Sequence, residues 1–316
     1  MSRVRQLIAV MLCLVLLSST SHAWFGFGHM AVAYVAYQKL TAEKKARVAV
    51  LLKKNPYYNN KWKAMIPAGT PADQRDLVLF MIAATWPDQI KGDSKYADDG
   101  LAGGNVPAPG PLAWQNIGYS DLNRHKYWHF IDTPFTQDGT SPLTAIPSPN
   151  AETEIAIFRQ TLTSNSNDKL KSYDLVWLLH LVGDVHQPLH STTRVSAVDP
   201  QGDNGGNSVK LSDPRKELHA FWDGLPGDSD VIADVITYGK SLAAADPVLA
   251  KKADASDWIN ESFDIAEKVV YSAPIGAGNG PFAVTSDYRD NAKKIADQRV
   301  TLAGERLANL INDEFK

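Results

Sequence analysis

The sequence contains a single cysteine, Cys13, among its 316 residues. One cysteine excludes an intrachain disulfide and a structural zinc site built from several thiolates. The formal charge of −3 also excludes a broad basic surface that would trap duplex DNA electrostatically. Stability must therefore come from an apolar core, which the 44% hydrophobic content is sufficient to build, and from any metal that the chain binds.

The chain also lacks a clear membrane span, because the apolar run from Leu7 to Leu17 is too short to cross a bilayer comfortably. This run follows Arg3 and Arg5 and precedes small residues that end at Ala23, which is the pattern of a signal peptide. We favour a signal peptide over a membrane anchor and expect residues 1–23 to be removed. Removal takes away the cysteine and two arginines, which lowers the formal charge from −3 to −5. We expect the mature protein, residues 24–316, to be periplasmic or secreted and free of the membrane.

Strand patterns are scarce, and the best of them, NSVKLS at 207–212, predicts one arm of a small β-hairpin. Helical periodicity is frequent, and no internal repeat or interdomain linker is visible. Long loops are expected at 56–71, 92–120 and 271–285. We therefore predict one mainly α-helical domain. Its helices are expected at 28–39, 41–55, 72–86, 150–163, 168–186 and 257–271, with a last amphipathic stripe from Ala296 to Leu310.

The stretch HLVGDVHQPLH places three histidines and an aspartate in an otherwise mainly apolar segment. On a helix, His180 and Asp184 share a face, and Pro188 then ends or kinks the helix and redirects His190. Such groups are costly to bury without a partner. A hydrogen-bonded core role is the usual interpretation of one buried histidine, but a metal accounts for the whole cluster more simply.

Three other segments add ligands of the same kind. His219 and Asp223 are again four residues apart, His129 lies among aromatic residues in KYWHFID, and Asp88 follows a tryptophan and a proline. One His–Asp pair is often an ordinary salt bridge, but the segments together supply seven nitrogen and oxygen ligands without a cysteine. This set suits zinc, without excluding other divalent ions.

The predicted cleavage would add a further ligand source. It exposes the α-amino group of Trp24, which, once deprotonated, is a nitrogen ligand, and the carbonyl group of the same residue can close a chelate ring. His29 follows five residues later. Export processing would thereby create a metal site that is absent from the precursor.

These motifs resemble those of the zinc-dependent S1/P1 nuclease family and occur in the same order. The chain looks like a bacterial member of this family. The zinc phospholipases C are distant relatives of the family. The resemblance spans nearly the whole mature chain and is highly specific. The matching motifs are W-x-x-x-G-H (Trp24 to His29), W-x-D (Trp86 to Asp88), W-H-F-I-D (Trp128 to Asp132), H-x-x-G-D-x-H-Q-P-L-H (His180 to His190), G-G-N (Gly205 to Asn207) and L-H-x-x-W-D (Leu218 to Asp223).

The resemblance implies a single-domain helical fold of the phospholipase C/P1 nuclease type and three zinc ions. Within the long motif, His186 matches no family ligand and is expected to support the ligands or the packing, while His125 has no match and is expected at the surface. The implied ligands are Asp88, His129, His180 and Asp184 for the first zinc, His190, His219 and Asp223 for the second, and Trp24 with His29 for the third, which Asp184 bridges to the first.

The resemblance further implies an endonuclease that hydrolyses phosphodiester bonds of single-stranded DNA and RNA, and 3′-nucleotides as well. Zinc-activated water would attack phosphorus in line and leave 5′-phosphorylated products, with Asp88 and Asp184 in the catalytic centre. Lys91 would hold a phosphate oxygen, although a solvated surface lysine is the alternative. A monomer without a stable protein partner is expected. Base recognition is implied for Phe130, Asp132, Gly205 and Asn207, whose structural alternatives are a core residue, a helix cap and, for the glycine pair, a turn.

Two other functions compete with the nuclease. A zinc phospholipase C binds its metals through a similar set of ligands, but its last ligand is glutamate. This chain has Asp223 at that position, and it also has the G-G-N motif. A non-catalytic zinc-binding protein of the periplasm would not require a lysine, a stacking aromatic residue and a pair of base-edge groups beside its metals. Both comparisons favour the nuclease.

Overall fold

The computed structural model describes residues 24–142 and 145–315, so the predicted signal peptide lies outside the described residues. Two short parallel strands, β1 (Pro134–Thr136) and β2 (Thr193–Val195), accompany a set of α-helices. The helices are α1 (Gly26–Lys39), α2 (Ala42–Leu52), α3 (Lys63–Met65), α4 (Arg75–Ala83), α5 (Trp86–Lys91), α6 (Ala151–Thr163), α7 (Asp168–Asp184), α8 (Leu218–Asp223), α9 (Ile232–Ser241), α10 (Ala255–Ile265) and α11 (Ser286–Glu314). The mainly α-helical class is confirmed.

The centre of the molecule is α7, in which every residue from Lys171 to Asp184 is buried. It packs against α6, α1 and α11, while α1 is itself buried from Phe27 to Tyr37. A helix that is buried on all sides lies in the interior of a domain. The predicted stripe from Ala296 to Leu310 is the buried face of α11, which packs on α1. No helix among the described residues is both long and apolar enough to cross a membrane.

The helices begin where side chains satisfy their free backbone N–H groups. Thr41 accepts a hydrogen bond from the Lys44 N–H at 3.2 Å and caps α2. Asn150 accepts from two N–H groups of α6, and the side chain of Thr153 accepts in return from the Asn150 N–H. The first four N–H groups of a helix have no partner within the helix, and each cap satisfies one or two of them. This is why such short polar residues begin helices.

The predicted hairpin at 207–212 is wrong in detail. The segment forms no strand, but an isolated antiparallel bridge joins Lys210 to Glu217, with the Leu211 N–H donating to the Lys216 carbonyl at 2.7 Å and the Leu218 N–H to the Val209 carbonyl at 2.9 Å. A parallel bridge joins Leu211 to Phe282. The two strands lie instead at 134–136 and 193–195, and their register runs from Pro134 opposite Thr193 to Thr136 opposite Val195. Three-residue strands are too short for periodicity to reveal.

Candidate metal centre

The predicted ligands come from segments far apart in the sequence and meet at the carboxyl end of α7. All of the histidine and aspartate side chains involved are at most 9% exposed. Their ligand atoms form three groups in which the atoms lie within 4.8 Å of one another. The groups are His29 with Asp88 and His180, His129 with His180 and Asp184, and His190 with His219 and Asp223.

The first two groups share His180 and surround the end of α7. His180 Nε2 lies 3.0 Å from His129 Nδ1 and 3.4 Å from Asp184 Oδ2, its neighbour one turn along the helix. Asp88, on α5, places Oδ1 3.6 Å from His180 Nε2. The predicted set of Asp88, His129, His180 and Asp184 is therefore one compact cluster of nitrogen and oxygen atoms.

The second predicted set, which we call the second ligand group, consists of His190, His219 and Asp223. The Nε2 atoms of the two histidines lie 3.0 Å apart, and Asp223 Oδ2 lies 3.5 Å from His219 Nε2. His190 follows the predicted change of direction at Pro188, which opens a short 3₁₀ turn, Pro188–Ser191. His219 and Asp223 were predicted to lie one turn apart on a helix, and both lie on α8.

Backbone carbonyl groups orient three of the imidazole rings. His180 Nδ1 donates to the Ala84 carbonyl at 2.8 Å, His190 Nδ1 to His129 at 2.7 Å, and His219 Nδ1 to Gly205 at 2.7 Å. A neutral imidazole that donates through Nδ1 presents a lone pair at Nε2. The Nε2 atoms of His190 and His219 are then both acceptors, so no hydrogen bond joins them, and a cation between them is the arrangement that fits.

The first mature segment reaches the same place. His29 Nε2 lies 3.3 Å from Asp184 Oδ1, and its ring stacks on His180 with 3.7 Å between centroids. Gly183 permits this approach, since a Cβ atom there would lie 2.9 Å from His29 Nδ1. The Trp24 indole is buried and donates to the Gly183 carbonyl at 3.1 Å. The residues assigned to a third zinc thus lie beside the other two sets.

Burial in this cluster opposes charge. It holds the pKa of His129 and of His190 well below the usual histidine value. Burial, and then the neighbouring Asp88, raises the pKa of Asp184 well above its usual value, and burial raises that of Asp223. Asp184 Oδ1 and His129 Nε2 are buried without a hydrogen bond. A bound divalent cation offsets the free-energy cost of burying these polar groups. Neutral imidazoles and carboxylates are the ligands that zinc prefers in sites without cysteine, so these residues fit the implied metal.

Lys91 lies at the same centre. It ends α5, its side chain is 4% exposed, and Nζ is 2.8 Å from Asp88 Oδ1. The alternative of a solvated surface lysine is excluded by this burial. A fixed cation beside the ligands is what stabilisation of developing phosphate charge requires.

The four residues predicted to recognise a base flank the second ligand group. Phe130 and Asp132 are half-buried, and between them the Ile131 N–H donates to the His190 carbonyl at 2.9 Å. Burial, and then Asp203, raises the pKa of Asp132 to about 7. Asn207 is half-buried and donates to the Asn204 carbonyl at 2.7 Å. Gly205 has φ +60° and orients His219 through its carbonyl group, so it has a structural role at this site.

The expectation that His125 lies at the surface is wrong. The ring is fully buried, with Nε2 2.9 Å from Asp121 Oδ2 and Nδ1 2.7 Å from Asp99 Oδ2, and it stacks on Trp128 at 3.5 Å. Asp99 lies in the long loop 92–120, and Asp121 follows that loop directly. The spacing of four residues between Asp121 and His125 could have predicted one of these two contacts.

His186 faces away from the ligands. Its Nδ1 donates to the Val182 carbonyl at 2.7 Å, and its Nε2 accepts from Arg306 at 2.9 Å. Arg299 donates to the His186 carbonyl at 3.1 Å, and Glu261 accepts from both arginines. These contacts bind the end of α7 to α10 and α11.

The S1/P1 nuclease family model matches residues 24–316, and the chain belongs to this family. It is similar to Endonuclease 4 of Arabidopsis thaliana, with 25% identity over 99% of this chain and 96% of that protein. It is also similar to Endonuclease 2 of the same plant, with 23% identity over 93% of this chain and 91% of that protein. Endonuclease 3 is 28% identical over 59% of this chain and 69% of that protein. The chain is thus a nuclease that acts on nucleic acid, in a family that is generally zinc-dependent.

Proposed function

We propose that this protein is an exported zinc endonuclease that hydrolyses single-stranded DNA and RNA, and 3′-nucleotides, to 5′-phosphorylated products. The observation that carries the proposal is the convergence of three His/Asp groups in one buried centre with Lys91 beside them. The residues that would hold three zinc ions are Trp24, His29, Asp88, His129, His180, Asp184, His190, His219 and Asp223.

Bound zinc would supply a Lewis acid and would lower the pKa of a bound water molecule to about 7. The chain itself prepares the site for this. Carbonyl groups hold His180, His190 and His219 as neutral rings with Nε2 free of a proton. Asp88 Oδ1 and Asp184 Oδ2 lie 3.6 Å and 3.4 Å from His180 Nε2 and would supply oxygen ligands there.

Lys91 would contact a phosphate oxygen as negative charge accumulates on it. Its ammonium group is held by Asp88 at 2.8 Å and has little access to solvent. A buried charge acts through a lower effective dielectric constant than a solvated one, so its effect on the transition state is larger. Lys91 is on this account a catalytic residue.

Preference for single strands would follow from stacking. Phe130 is partly exposed beside the second ligand group, and an aromatic face stacks any unpaired base with a gain of about 1–3 kcal/mol. Asp132 and Asn207 supply acceptor and donor groups for a base edge. A base in a duplex is already stacked and is not available to Phe130. The mature chain is further proposed to be monomeric and to be released by cleavage before Trp24.

Metal analysis and one substrate comparison test the proposal. Protein that begins at Trp24 is expected to hold three zinc ions and to degrade single-stranded DNA and RNA faster than duplex DNA. Each cut should leave a 5′-phosphate and a free 3′-hydroxyl, so the new ends should accept a label at the 3′-hydroxyl and not at the 5′ position. Phosphatidylcholine is the control substrate. Hydrolysis of the lipid without hydrolysis of nucleic acid would favour a phospholipase, and zinc binding with intact RNA would favour a binding protein; either result overturns the proposal.

A further inference from the structure

Gln187 lies between the two segments that form the second ligand group. Its side chain is fully buried, with Nε2 2.7 Å from Asp223 Oδ1 and Oε1 2.6 Å from the Leu189 nitrogen. It is thus in contact with a ligand on α8 and with the turn that contains another ligand, His190. Gln187 is neither a proposed metal ligand nor a proposed substrate contact.

The direction of both hydrogen bonds is fixed by the partners. The Leu189 backbone nitrogen is a donor, so the atom of Gln187 that faces it is the carbonyl oxygen. The amide nitrogen then faces Asp223, whose carboxylate accepts. A glutamine is the right residue here, because glutamate offers acceptors at both positions.

The amide engages one of the two carboxylate oxygens of Asp223. Oδ1 is occupied by Gln187, whereas Oδ2 faces His219 Nε2 at 3.5 Å. A donor placed on one oxygen fixes the rotation of the carboxylate about χ2. The other oxygen is thereby directed at the two imidazole nitrogens of the group.

The same side chain fixes the turn that carries His190. Gln187 is the N-cap of the segment Pro188–Ser191, through its bond to the Leu189 N–H. Its own carbonyl group accepts from the His190 N–H at 3.0 Å. Proline at the next position adds a fixed φ. One residue therefore sets the position of two ligands that are 33 residues apart, His190 and Asp223.

We propose that Gln187 is a positioning residue for the second ligand group: it directs Asp223 Oδ2 towards the histidines of the group and holds the turn that carries His190. The inference rests on the zinc centre of the proposed function. It assigns no contact between Gln187 and the metal itself. Groups that orient metal ligands typically change metal affinity by about 10–100-fold when they are replaced.

The test compares zinc affinities of the mature protein with those of Gln187→Glu and Gln187→Met. The first variant removes the donor and keeps the shape, and the second removes both polar atoms. Titration against a chromophoric chelator is expected to show one of three zinc ions bound about 10–100-fold more weakly in each variant, with the other two unchanged. Gln137→Glu is the matched control, because Gln137 donates to the Tyr271 carbonyl at 3.0 Å, outside the ligand set; it is expected to keep all three affinities.

A second comparison identifies the affected ion and separates positioning from folding. In His219→Ala, which lacks part of the second ligand group, addition of Gln187→Met is expected to cause no further loss of zinc affinity. Equal weakening of all three ions in Gln187→Met, together with a lower unfolding temperature of the zinc-free form, would assign a structural role only and overturn the inference. Unchanged affinities in both variants would overturn it as well. A wild-type protein without zinc would instead contradict the proposed function.

Discussion

Lys91 and Asp88 form an ion pair one helical turn apart, with Nζ 2.8 Å from Oδ1 and side chains that are 4% and 8% exposed. The pair joins the cation proposed for phosphate binding to a proposed ligand of the first zinc. Both residues lie on the six-residue helix α5, which begins at Trp86 with proline at its second position. Any movement of α5 would therefore change the ligand and the cation together.

Replacement of Lys91 by methionine is expected to lower kcat about 10²–10³-fold, because the fixed positive charge near the phosphate is lost. Zinc content should remain that of the wild type, since Lys91 is not a ligand. Steady-state hydrolysis of a single-stranded oligonucleotide, with metal analysis of the same sample, measures both. Lys95→Met is the control, because Lys95 is an exposed lysine just beyond α5. Wild-type kcat in Lys91→Met would remove this residue from the mechanism.

An extra glycine before Trp24 is expected to remove one zinc ion and most of the activity. The Trp24 indole is held at the Gly183 carbonyl, and the Phe25 N–H donates to the Asp223 carbonyl at 3.2 Å, so this segment has a fixed position at the centre. An added residue converts the α-amino group of Trp24 into an amide, which is a poor ligand. Zinc content and nuclease activity should be compared with those of protein extended by one glycine after Lys316. Three zinc ions and full activity in the N-terminal extension would contradict the amine ligand.

The helices and the ligand candidates were predictable because both depend on local spacing. His180 and Asp184, like His219 and Asp223, occupy one face of a helix whatever lies around them. The contacts of His186 with Arg306 and of His125 with Asp99 depend on residues 120 and 26 positions away, so periodicity carries no information about them. Helix α9 was not predicted, because it buries few apolar residues, among them Ile232 and Val235.

Replacement of His125 by leucine is expected to destabilise the fold by about 3 kcal/mol at pH 6, since Asp99 and Asp121 would lose their shared partner. Burial alone would lower the pKa of His125, but the hydrogen bonds to the two aspartates outweigh it and raise that pKa above 6.5. The stabilisation from the charged ring is therefore complete below the unfolded-state pKa and is lost as the pH rises through the folded-state pKa.

Urea unfolding of zinc-free protein at several pH values measures this effect. The difference between wild type and His125→Leu should be largest at about pH 5–6, where the ring is charged and Asp99, whose pKa is lowered in the folded protein, is ionised, and smaller at alkaline pH. Lys126→Leu serves as the control, because Lys126 is a partly exposed neighbour. A difference that does not vary with pH would show that only packing on Trp128 is lost.

Replacement of Glu154 by glutamine is expected to make the fold less sensitive to pH. Glu154 is fully buried in α6. Burial raises its pKa from 4.5 to about 8, against the opposing effect of His125 and with a further contribution from Asp174. Between these two values the folded state holds a proton that the unfolded state has lost, so the free energy of unfolding falls as the pH rises, with a slope of up to about 1.4 kcal/mol per pH unit.

The glutamine variant has no proton to lose, so its free energy of unfolding should rise relative to that of the wild type from pH 4.5 to about 8 and then stay constant. Urea unfolding between pH 5 and 9 provides the measurement, in zinc-free protein so that ligand titration at the metal centre affects both proteins alike. Glu152→Gln, the same change at a half-buried glutamate two residues earlier in α6, is the matched control. Parallel curves for wild type and Glu154→Gln would mean that Glu154 is ionised in the folded protein, and a cation or a polar group would then have to lie against its carboxylate.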